Sequence, residues 1–109
     1  MNWTVETLDT VVDAEIAALP ADMRAQFSRI SALIEEIGLD HVREPHVKHL
    51  EERLWEMRMK GKDGISRALY VTTRPKRVVV VRVFVKKTEK TPRREIDLAL
   101  RRVEEVRDD

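Results

Sequence analysis

The hydrophobic and polar positions of the chain change period about halfway along. Met23, Phe27, Ile30, Ile34 and Ile37 recur at spacings of 4, 3, 4 and 3, the stripe of a helix that buries one face. From Leu54 the period falls to two. Trp55, Met57 and Met59 alternate with Glu56, Arg58 and Lys60, the pattern of a half-buried strand. Two more apolar runs follow, Ile65 to Thr73 and Arg77 to Lys86. The turn signals Gly61 to Gly64 and Arg74-Pro75-Lys76 separate them. Connections this short predict a three-stranded antiparallel meander. In its last strand Val79, Val81, Val83 and Val85 are expected on one face. Val78, Val80, Arg82, Phe84 and Lys86 are expected on the other.

The flanks complete the pattern. Trp3 to Glu6 reads as a short strand. Asp9 or Thr10 can cap a helix running to about Leu19, with Val12, Ile16 and Leu19 on one side. Pro20 ends it and opens the next helix, which Gly38 closes. Gly38 to Arg53 reads as a connector, because Pro45 rules out a continuous helix. Thr91 is expected to cap a final helix whose first residue is Pro92, with Ile96, Ala99, Leu100, Val103 and Val106 as its buried stripe. The order strand, helix, helix, three strands, helix predicts an α+β fold. The 109 residues make one domain, 1–109, large enough for its own core.

Charge changes this picture. The net charge of +1 conceals a segregation along the chain. Residues 1–47 hold three arginines against nine acids, and residues 95–109 hold three arginines against six acids. Between them, residues 48–94 carry fifteen Lys and Arg against five acids, a net +10. A basic middle between acidic ends draws a polyanion. With no cysteine, neither a disulfide nor a thiolate metal site can form. No apolar run approaches the roughly 18 residues of a membrane span, and the N-terminus lacks the pattern of a signal peptide. The expectation is a soluble, cytoplasmic protein.

The candidate chemistry lies in the basic segment. Arg58 and Lys60 share one face of their strand, Arg67 sits within an apolar strand, and Lys86, Lys87 and Lys90 leave the last one. Arginines and lysines held by a rigid sheet suit a phosphodiester. They also stabilise the charge that develops when a 2′-hydroxyl attacks it. A buried arginine is costly alone, so an ion pair between Arg67 and Glu56 is the structural alternative. Trp55 is expected in the core rather than as a stacking platform, and Tyr70 as a half-buried strand residue. His41, His46 and His49 lie in the connector, without the acidic or cysteine partners that would complete a metal site. There is no glycine-rich phosphate loop, nucleophile elbow or His-Glu-x-x-His.

Leu54-Trp55-Glu56-Met57-Arg58, then Arg67, then Phe84-Val85-Lys86-Lys87-Thr88-Glu89-Lys90-Thr91-Pro92 together resemble the RelE/ParE superfamily of bacterial type II toxins. The similarity is strongest to its HigB-like, phage-derived group. It implies a RelE-like fold and a metal-independent endoribonuclease, with no cofactor, that cleaves mRNA on the translating ribosome. It implies a HigA-like helix-turn-helix antitoxin as partner, in a toxin–antitoxin hetero-oligomer. Arg58, Arg67 and Lys87 match catalytic cations of such toxins, and Lys60, Lys62, Lys86 and Lys90 are candidate RNA contacts. After Tyr70 the chain has no tyrosine and after His49 no histidine, which leaves the proton acceptor and donor open. The same fold also hosts gyrase-directed poisons without nuclease activity, the alternative reading.

Overall fold

The computed structural model describes residues 2–86 and 90–107. Its elements are β1 (Thr4–Thr7), α1 (Thr10–Ala17), α2 (Ala21–Ile37), a short 3-10 turn (Leu39–His41), β2 (Val47–Glu51), β3 (Leu54–Gly61), β4 (Gly64–Thr73), β5 (Arg77–Lys86) and α3 (Arg93–Val103). The strands form one mixed sheet in the order β1-β5-β4-β3-β2. β1 runs parallel to β5, and β2 to β5 form an antiparallel meander. No helix is long and apolar enough to cross a membrane.

The expected α+β order holds, with one strand more than the pattern shows. Part of the connector is β2, joined to β3 by a two-residue turn in which Glu52 takes φ 52°. Val47 is buried while Lys48 and His49 are exposed. An edge strand with one buried apolar residue leaves little periodicity to read.

The helices form layers on both sides of the sheet. Asp9 caps α1 by accepting the Val12 N–H at 3.1 Å. Val12, Leu19, Met23, Ile30 and Ile34 pack against Met57, Met59, Ala68, Tyr70, Val78, Val80 and Val83. On the other side Ala99 of α3 packs with Leu54, Leu69, Val71, Val79, Val81 and Phe84. Val79 and Val83 therefore face opposite layers, against the strict alternation expected of β5. The cause is a bulge. Leu69 pairs with Arg82 and the next residue, Tyr70, with Val80, so Val81 is inserted and the faces exchange. A continuous run of valines carries no polar marker to reveal such a slip.

The bulge lies where β1 stops pairing with β5, at Val80. Beyond it, side chains complete the ladder. Glu15 of α1 accepts the Val83 N–H at 3.0 Å, and Arg102 of α3 donates to the Val81 carbonyl at 2.8 Å. Arg82 binds Glu15 at 2.8 Å and Glu95 of α3 at 2.7 Å. Hydrogen bonds to the two carboxylates, Glu95 first, hold the Arg82 guanidinium above its ordinary pKa. At the outer edge of β1, Glu35 accepts the Val5 N–H at 2.9 Å.

Glu15 thus joins α1, β5 and α3. Glu15→Ala leaves Val83 and two arginines short of an acceptor and should cost about 1–3 kcal/mol in urea denaturation. Glu15→Gln, whose amide oxygen still accepts from Val83, should recover part of the loss. A cost below about 0.5 kcal/mol, the size of an ordinary surface change, would contradict the edge-closing role.

Candidate functional site

Ladder registers set three transverse rows on the α3 side of the sheet. In the middle row Arg58 stands opposite Arg67, and Arg67 opposite Phe84. One step toward the β3–β4 turn, Lys60 faces Ile65 and Ile65 faces Lys86. One step the other way, Glu56 faces Leu69 and Leu69 faces Arg82. α3 packs over the Leu54 and Leu69 end, and Lys60 at the opposite end is exposed.

A buried carboxylate organises the middle of this surface. Glu56 is 2% exposed. Its Oε2 accepts from Arg67 at 2.6 Å and from the Arg58 Nε at 3.1 Å. Its Oε1 accepts from the Thr91 hydroxyl at 2.6 Å. Burying a carboxylate is tolerated only when charge and hydrogen-bond donors replace its water. Three donors do so here, from β3, from β4 and from the segment entering α3. Thr91 is thus not the helix cap expected of it. α3 begins at Arg93 with Pro92 in the cap position, and the Thr91 hydroxyl is spent on Glu56.

The arrangement separates the two arginines by role. Arg58 engages Glu56 through Nε, and its terminal nitrogens have no hydrogen-bond partner among the described residues. A guanidinium braced on one edge presents a fixed pair of donors on the other. Arg67 is 4% exposed. The ion pair weighed as the structural alternative is present, so Arg67 acts as a charge beneath the surface rather than an open contact.

The other expected site residues divide. Lys60 is exposed on the same face. Lys86 is only 6% exposed, which makes it part of the floor rather than an open RNA contact. Lys62 is exposed but belongs to the β3–β4 turn, where Asp22 of α2 accepts its backbone N–H at 2.8 Å. Gly61 permits that approach, because a Cβ there would lie 2.8 Å from the Asp22 oxygens. Lys90 is exposed beside Thr91. Lys87 lies outside the described residues.

Trp55 corrects another expectation. It is 38% exposed, with its ring 5.0 Å from that of His49. The two line an open groove of about 710 Å³ with Leu39, Val42, Val47 and Tyr70, on the side of α2. α2 ends at Ile37 and does not cover them. Tyr70, expected to be half-buried, is 1% exposed. Burial pushes its phenol well above the ordinary tyrosine pKa, and it faces away from Arg58. Among the described residues no three His, Asp or Glu side chains group to hold a metal ion.

The network makes a stability prediction. Glu56→Ala leaves Arg67 charged and buried without its carboxylate and should cost about 3–5 kcal/mol. The double variant Glu56→Leu with Arg67→Met should be markedly more stable than Glu56→Ala, because it removes both charges. Urea midpoints of the variants check this. A loss under about 1 kcal/mol, the scale of an exposed pair, would show the pair to be solvated.

The comparisons with known proteins bear on the fold and the family. No curated protein matches the sequence. Among solved structures, the fold matches the free-state mutant of the E. coli toxin RelE with a TM-score of 0.66 and 17% identity. That match covers 94% of this chain and 99% of the other. It also matches the archaeal RelE–RelB complex from Pyrococcus horikoshii OT3, with a TM-score of 0.57 and 20% identity over 78% of this chain and 96% of that one. The sheet, the helices and the Glu56-centred cation face thus stand on a RelE fold. The family model for phage-derived Gp49-like proteins matches residues 14–104, and the chain belongs to that family.

Proposed function

We propose that this protein is the toxin of a type II toxin–antitoxin system and that it cleaves mRNA on the translating ribosome. The observation that carries this reading is Arg58, braced by a buried Glu56 with its terminal nitrogens unpaired among the described residues, in a row with Arg67 and beside Lys60. A phosphodiester needs little covalent help from a protein. It needs charge on its non-bridging oxygens as the 2′-oxygen attacks and the 5′-oxygen leaves. Arg58 supplies two donors of fixed direction, and Lys60 a mobile cation. Arg67 pairs with Glu56 beneath them, so two guanidiniums share one carboxylate and the group keeps a net positive charge. No step requires a metal. The HigB-like motif, the Gp49-like family and the RelE fold all support the assignment.

The cations also imply an inhibitor. A cell that makes such a nuclease survives only with an antitoxin, and the Pyrococcus RelE is paired with RelB. A HigA-like helix-turn-helix protein is the partner proposed here, in a hetero-oligomer in the cytoplasm, where ribosomes are.

Expression without antitoxin should arrest growth and leave ribosome-bound mRNA fragments with 2′,3′-cyclic phosphate ends. Arg58→Ala should lower cleavage about 10²–10³-fold, the usual cost of one charge-stabilising donor. Arg29→Ala, on an exposed position of α2, should cleave as the parent does. Growth arrest with intact mRNA and broken chromosomes would favour the gyrase-poison alternative instead.

A further inference from the structure

The cation face needs a group to take the proton from the attacking 2′-hydroxyl. We propose that His46 is that general base, an assignment that rests on the ribonuclease reading above. His46 immediately precedes β2, and its carbonyl accepts the Arg58 N–H at 2.9 Å. This extends the middle row by one residue, so that His46, Arg58, Arg67 and Phe84 stand in line across the sheet. Residues paired this way have Cβ atoms about 5 Å apart. An imidazole and a guanidinium at that spacing can reach the 2′-hydroxyl and a non-bridging oxygen of one phosphate.

The ladder places the residue beside Arg58. Val47 is buried with the α2-side core opposite Met57, and His49 meets Trp55 on that same side. Lys48 pairs with Glu56, and His46, the half-buried residue that closes the turn before β2, comes next to Arg58 on the same ladder. A second bond fixes the residue. Its own N–H donates to the Arg43 carbonyl at 3.0 Å and closes the turn through Pro45. The nearest charges along the chain and across the ladder are Arg43, Glu44, Lys48 and Arg58.

Four other groups among the described residues do not fit. Glu56 is buried and holds three donors, and Tyr70 is buried on the opposite face. His49 lies with Trp55, and His41 lies near Asn2 and Lys76 at a separate pocket. In the proposed step a neutral His46 nitrogen takes the 2′-hydroxyl proton while the 2′-oxygen bonds to phosphorus. The phosphorus–5′-oxygen bond breaks, and the departing 5′-oxygen takes a proton from water on the open face. The products are a 2′,3′-cyclic phosphate and a 5′-hydroxyl.

The test is single-turnover cleavage of mRNA on stalled ribosomes with the full chain, its fold checked by circular dichroism and urea midpoint. His46→Ala should slow cleavage about 10²–10⁴-fold, the usual contribution of a general base, with the half-saturating toxin concentration unchanged. His41→Ala should leave both unchanged. A substrate with sulfur in place of the leaving 5′-oxygen needs no proton on departure, so the His46→Ala defect should persist on it. Rescue by that substrate would make His46 the donor and overturn the assignment as base. A folded His46→Ala that cuts within threefold of wild type would overturn it as well, while leaving the nuclease reading intact. A wild-type chain that cuts nothing would overturn both.

Discussion

Taking a carboxylate out of water is among the most costly things a fold can do, and here the surroundings of Glu56 are built to make it tolerable. Arg67 and Glu56 bury opposite charges against each other, and removing one member of such a buried pair is strongly destabilising. Arg58 and Thr91 join the same two oxygens from other directions. The result is one electrostatic unit that spans β3, β4 and the entry to α3. The direction of Arg58, the seat of α3 and the polarity of the open face all follow from it.

The two faces of the sheet are therefore unequal. One is covered by α1 and α2 over a long apolar layer. The other is covered by α3 only around Leu54, Leu69 and Val79. An 11-residue helix is about 16 Å long at 1.5 Å per residue, too short to hide strands of ten residues. The uncovered end is where the cation rows emerge. The bulge at Val81 exchanges the faces of β5, so that Val78, Val80 and Val83 feed the first core and Val79, Val81 and Phe84 the second.

Periodicity exposed the elements with many buried residues and missed those with few. α2 and the strands β3 to β5 stand within a residue of where the pattern put them, because each buries a long stripe. β2 escaped because Val47 alone is fully buried in it. The bulge escaped because valine looks the same on either face. Pairing between Arg67 and Glu56 was legible as an alternative, since an arginine among apolar residues demands a partner. Two features were illegible: that Thr91 would bond to Glu56 thirty-five positions away, and that His46 would stand across from Arg58. Both depend on register, and no local signal encodes it. Trp55 was misplaced because strand alternation says which side a residue takes, not whether a helix reaches that far.

The side chains that finish the sheet's ladder also limit how copies of the chain can meet. A sheet normally offers two edges, and a particle with two complementary edges can add neighbours without end. Here Glu35 occupies the outward N–H of Val5, and Glu15 and Arg102 occupy the edge of β5 beyond it. β2 is the other outer strand of the sheet. An edge whose donors and acceptors are already taken by side chains has fewer groups left to template a foreign strand, so the β1 and β5 margin is blunted against edge-to-edge association.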